Sequence, residues 1–151
     1  MENTNIYGDG STHGISALVG NMSLYKRLLD LHFGRLPGIK NGLEFARVSG
    51  AKSVLSVVAK DMEEASAYLE SALPSLENPA SFIGANSTER EENARVLVRL
   101  LNVLRADAQQ VQNEFIAFDE RSGADERFIA VLDQALSKIA QQIQKIRANN
   151  V

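Results

Sequence analysis

The stretch ARVLVRLLNVLRADAQQVQNEFIAF, residues 94–118, decides the fold class. Ala94, Leu97, Leu101, Leu104, Ala108, Val111, Phe115 and Phe118 recur at steps of three and four without a miss. That is the apolar stripe of a helix seated on a core. Upstream, Thr88 with Glu91 three residues later reads as a capping box, and acidic Glu89, Glu91 and Glu92 suit a helix N-terminus. A helix of roughly 30 residues would be about 45 Å long, and a single stripe of that length needs partners along all of it.

Those partners lie on both sides in sequence. Downstream, DERSGAD (119–125) turns the chain, with Ser122 a plausible N-cap and Asp125 and Glu126 in the first turn. The last helix then runs on Ile129, Leu132, Leu136, Ile139, Ile143 and Ile146, with Lys145 and Arg147 where a helix C-terminus favours positive charge. Upstream, a helix over about Ala51 to Leu73 carries Leu55, Val58, Met62, Ala65, Leu69 and Ala72. Pro74 and Pro79 bracket the loop PSLENPASFIGANS (74–87), whose Phe82 and Ile83 are expected to cap the core. From Ser23 a further stripe passes through Tyr25, Leu29, His32, Leu36, Ile39, Leu43 and Ala46, with Pro37 inside it and Ser49-Gly50 ending it. Pro37 removes a hydrogen bond and should kink that helix.

Four long helices with one apolar stripe each and short connections describe an all-α fold, an antiparallel up-down four-helix bundle over residues 22–151. No segment keeps the period-two alternation of a strand. Residues 1–21 form an N-terminal arm, flexible or irregular, opening with the polar, glycine-rich MENTNIYGDGSTHG. Ile6 and Tyr7 could pin the arm to the body, and a short helix over Ile15 to Val19 would end at Gly20-Asn21.

Composition narrows the function classes. The chain has 151 residues, 44% of them hydrophobic and 23% charged, with a net charge of -3. There is no basic footprint for nucleic acid and no Lys/Arg cluster for an anionic membrane surface. With no cysteine there is no thiol nucleophile, disulfide framework or sulfur-rich zinc site. The longest apolar runs, such as VLSVVA, are too short to span a bilayer, and no signal-peptide pattern opens the chain. A soluble, cytoplasmic protein is expected.

The inventory of reactive groups is thin. His13 lies in the arm and reads as solvated, whereas His32 falls on the inward stripe of the first helix. No Glu-x-x-His pair of a di-iron bundle occurs, so no metal site is expected. GDGSTHG lacks the lysine and the preceding strand of a phosphate cradle. DMEE and STEREE read as solvated helix faces and starts. An acid–base site on His32 with Asp30 or Glu44 lacks a recognisable spacing. The expectation is no enzyme, no catalytic residues and no cofactor.

One resemblance stands out over residues 22–76. NMSLYKRLLDLHF, with Leu24, Tyr25, Leu28, Leu29 and Phe33, is similar to the opening helix of histidine-containing phosphotransfer (HPt) domains, four-helix modules of phosphorelays. Leu36-Pro37 and GIKNGLEFARVSGA follow in the family's order. The reactive helix of that family reads Leu-x-x-Leu-Ala-His-x-Leu-Lys-Gly, and LSVVAKDMEE (55–64) aligns to it without a gap. Leu55, Val58 and Ala59 agree and Met62 takes a leucine's place, but Lys60 stands at the histidine, Glu63 at the lysine and Glu64 at the glycine.

The resemblance therefore implies a relative that cannot relay phosphate. A lysine ammonium offers no neutral nitrogen near neutral pH, where imidazole does. Two glutamates would repel a phosphoryl group and crowd a partner's approach. What it leaves is docking of a receiver domain or histidine kinase. Lys60 would meet an acidic pocket, Glu63 and Glu64 would tune partner choice, and Lys52 and Ser56 lie on the turns before them. The rival expectation is an assembly protein that self-associates through the long heptads of 94–118 and 129–146.

Overall fold

The computed structural model describes residues 24–77, 82, 84–118 and 123–148. Among them every regular element is helical, as the periodicity requires. We label as α1 the helical run 24–49, as α2 Val54–Glu70, as α3 Ser87–Ala117 and as α4 Ala124–Ala148, with a 3-10 turn Leu73–Leu76 after α2. The arm with His13, and also Ile83 and Ser122, lie outside the described residues.

The buried positions of α1 are Leu24, Leu28, Leu31, Leu36, Ile39, Leu43 and Ala46. The expected Tyr25, Leu29 and His32 are not among them, and Tyr25 is 38% exposed. The stripe contains one step of five, from Leu31 to Leu36, which a search for steps of three and four passes over. The backbone accommodates that step as a π turn over Leu31–Arg35, closed by the Leu36 N–H donating to the Leu31 carbonyl. Pro37 follows immediately. Lacking an N–H, and with a ring that collides with the carbonyl four residues back, proline is accommodated by a widened turn. The departure from α geometry lies in this turn, just before Pro37, and the buried positions of the first half of α1 fall one residue from the expected stripe. Gly50, with φ of 72°, ends the helix by donating its N–H to the Ala46 carbonyl.

α2 buries Leu55, Val58, Met62, Ala65 and Leu69 as expected, but it starts at Val54 and ends at Glu70, inside the Ala51–Leu73 range. Ala72, Leu73, Leu76 and Phe82 close over the end of the core. α3 buries its expected stripe from Ala94 to Phe115, with Phe118 partly buried beyond its end. Its cap differs from expectation. Asn86 is the N-cap, its side chain accepting from the Glu89 N–H at 3.0 Å, while the Glu89 carboxylate accepts from the Ala85 N–H at 2.9 Å. Asn86 has the extended backbone of a cap, whereas Thr88 is already helical.

α4 departs most from its stripe. Phe128, Val131 and Ala135 are buried alongside Leu132, Ile139, Ile143 and Ile146, whereas Ile129 and Leu136 are only partly buried. The reason is that α4 packs extensively against both α3 and α2, so a wider arc is covered than one stripe. α1 lies mainly on α2, with a thinner seam to α3. Side chains of all four helices belong to one continuous core.

Ion pairs outline the helix edges: Arg105 to Asp133 at 2.9 Å, Arg127 to Glu63 at 2.6 Å and Glu70 at 3.0 Å, and Lys138 to Glu77 at 2.5 Å. Glu91 accepts from Arg147 at 2.7 Å and from Arg95 at 2.9 Å, and these bonds hold its carboxyl at about 2, below the usual 4.5. A depressed folded-state value means that the contribution is complete above the ordinary carboxylate range and is lost as pH falls from about 4.5 towards 2. Glu91→Gln should therefore flatten the acid limb of a stability–pH curve in that window. Thermal melts at stepped pH check this, and an unchanged limb in the variant refutes it.

Candidate docking face

Lys52, Ser56, Lys60 and Glu63 follow one another at steps of four, four and three, and with Glu64 they lie exposed on the outer side of α2 and its leading turn. Lys52 lies in that turn, its N–H donating to the Gly50 carbonyl. The Ser56 hydroxyl donates to the Ser53 carbonyl at 2.9 Å, an ordinary first-turn contact. Lys60 and Lys52 make no ion pair among the described residues. Glu63 is different, because Arg127 of α4 engages it together with Glu70. Of the five residues singled out from sequence, one is thus already committed within the fold. Sequence spacing could not anticipate this, since Arg127 is 64 residues away.

The edge of α2 that meets α1 carries Val57, Asp61, Glu64 and Tyr68, at steps of four, three and four. Tyr68 lies under two guanidinium groups, Arg35 at 4.4 Å and Arg27 at 4.9 Å from its ring centre. Burial first, then the neighbouring Asp30 carboxylate, push the Tyr68 hydroxyl above its ordinary value. Arg27 also donates to the Tyr68 carbonyl at 2.5 Å and to the Ser71 hydroxyl. Arg35 lies 3.6 Å from Asp30.

Beside that stack the seam opens into a cleft of about 270 Å³, lined by Gly34, Arg35, Gly38, Ile39, Asp61 and Glu64. Four residues further along α1 it closes again, because a Cβ on Gly42 would come within 2.8 Å of the buried Val58 side chain. Sequence reasoning missed Arg35, Asp61 and the glycines of this cleft. The signal present was Gly34, Gly38 and Gly42 at steps of four inside a helix, positions that favour close approach over helix propensity.

His32 is partly buried, its side chain 33% exposed, and faces α3, with its Nδ1 3.6 Å from Asp107. Lys40 binds that aspartate at 2.7 Å. Glu44, the other acid weighed beside His32, is tied to Arg47 on the surface. Among the described residues no group of three or more histidine, aspartate or glutamate side chains is placed to hold a metal ion. Nor is any helix there long and apolar enough to cross a membrane.

No family model matches the chain, and no curated protein or solved structure matches it.

Proposed function

We propose that this chain is a non-catalytic protein–protein interaction module, a cytoplasmic HPt-like domain that docks a receiver domain or histidine kinase in two-component signalling without relaying phosphate. The observation that carries the reading is Lys60, exposed on α2 with no ion pair among the described residues, at the position where the resembling family bears its reactive histidine. An exposed cation there can meet an acidic pocket, but it cannot take up a phosphoryl group as an imidazole does. The up-down antiparallel arrangement belongs to the same proposal. It is supported by Glu91 pairing with Arg147 while Arg105, further along α3, pairs with the earlier Asp133 of α4. Arg27 beside Tyr68 and Gly42 beside Val58 relate α1 to α2 in the same way.

The test is an affinity capture with the full chain, comparing wild type with Lys60→Glu. The expected result is a receiver domain or sensor kinase recovered by wild type and lost with the variant. Recovery of the same receiver by both would show that Lys60 is an ordinary surface lysine.

The stripes of 94–118 and 129–146, through which self-association was expected, are spent mainly on the chain's own core, so a second reading as a self-associating assembly protein is favoured only by Phe33 and Val48 on α1, each 73% exposed. A mass by light scattering that stays monomeric as concentration rises removes it.

A further inference from the structure

The α1–α2 groove has a chemistry that Lys60 does not explain. Asp61 and Glu64 form one wall and, among the described residues, neither makes an ion pair. The other exposed carboxylates of α2, Glu63 and Glu70, are both held by Arg127. Arg35 also lines the cleft, but its guanidinium is engaged, stacked on Tyr68 and 3.6 Å from Asp30. The floor is helix backbone: nothing lies within 4 Å of where a Cβ on Gly38 would point, and Gly34 approaches only Asp30. The cleft ends at the Gly42–Val58 contact, and beyond it the same helix faces carry Val57, one turn before Asp61, and Phe45, one turn after Gly42, 58% and 57% exposed.

We infer that this groove receives a basic amphipathic segment of a protein partner, with a lysine or arginine side chain lying over Gly38 between Asp61 and Glu64. Two uncommitted carboxylates set the sign of the guest's charge, the glycine floor admits a long unbranched side chain against the backbone, and Val57 and Phe45 offer the apolar contact that an amphipathic helix presents beside its cation. The inference rests on reading the outer side of α1 and α2 as a docking surface, but not on the partner being a receiver or a kinase.

The probe is a fluorescein-labelled helical peptide of leucine and lysine, with a leucine–glutamate peptide as its counterpart, titrated into the full chain and followed by anisotropy and by amide shifts. The lysine peptide is expected to bind saturably and to shift the amides of Gly34, Gly38, Asp61 and Glu64, and the glutamate peptide to do neither. Asp61→Asn with Glu64→Gln should weaken binding roughly tenfold. Glu92→Gln with Glu126→Gln makes the same change in net charge on exposed positions of α3 and α4, and should leave the affinity within about twofold. Gly38→Leu fills the open space over the floor without meeting another atom at its Cβ and should abolish binding in a chain that still folds. Binding unaffected by the Asp61/Glu64 and Gly38 variants, equal weakening by the control pair, shifts confined to other helices, or no saturable binding would each overturn the inference. Because Lys60 is untouched throughout, loss of the groove leaves the Lys60 result standing, and the reverse holds as well.

Discussion

Phe128→Ala lowers stability by about 3–5 kcal/mol and the melting temperature by about 10 °C. Phe128 is completely buried on α4, the helix that packs extensively on both α2 and α3. Truncation removes the ring's transfer free energy and leaves a cavity in a closely packed core that relaxes only partly. A total stability of about 5–15 kcal/mol makes this a large fraction of the whole. The neighbouring Ile129→Ala is the control. Ile129 lies on the stripe expected from periodicity yet is only partly buried, so its truncation should cost well under half as much. Urea unfolding of the two variants decides between the registers, and a larger loss at Ile129 would return α4 to the stripe read from sequence.

Gly84→Ala carries the second large effect, about 2–3 kcal/mol. Gly84 has φ of 157°, and a Cβ there would lie 2.5 Å from the Arg90 backbone nitrogen and 2.9 Å from the Glu89 carbonyl carbon. Backbone cannot rotate aside as a side chain tip can, so the approach to α3 must shift. That shift strains the reciprocal cap in which Glu89 reaches the Ala85 N–H and Asn86 reaches the Glu89 N–H. Gly38→Ala is the same substitution in a helical, open position, where alanine's propensity should stabilise by up to about 1 kcal/mol. Opposite signs at the two glycines are the expected outcome, and amide exchange in the first turn of α3 should rise for Gly84→Ala alone. Similar small effects at both would mean that the chain entering α3 has room to spare.

Function divides along the same helix edges. If one partner engages both Lys60 and the Asp61–Glu64 wall, it presents an acidic pocket next to a basic side chain, which narrows the geometry of the interface sharply. If different partners engage them, the outer side of α2 and its seam with α1 serve separate contacts.

What the sequence by itself determined is whatever repeats locally. The helical class, the stripes of α2 and α3 and the left-handed stop at Gly50 follow from residues within a few turns of one another, because side chains three and four apart share a helix face wherever the helix is later placed. Tertiary structure decided the rest. The register of α4 depends on its covering two partner helices, which widens the buried arc to Phe128 and Ala135. The π turn was written in the five-residue step from Leu31 to Leu36, but its meaning emerges only when Leu24, Leu28 and Leu31 are seen facing the same core as Leu36. The groove is a matter of charge pairing over long separations. Glu63 and Asp61 are two residues apart and chemically alike, yet Arg127 from α4 reaches only the first. Coulomb pairing acts through space and periodicity acts along the chain, which is why the bundle was legible and its uncommitted carboxylates were not.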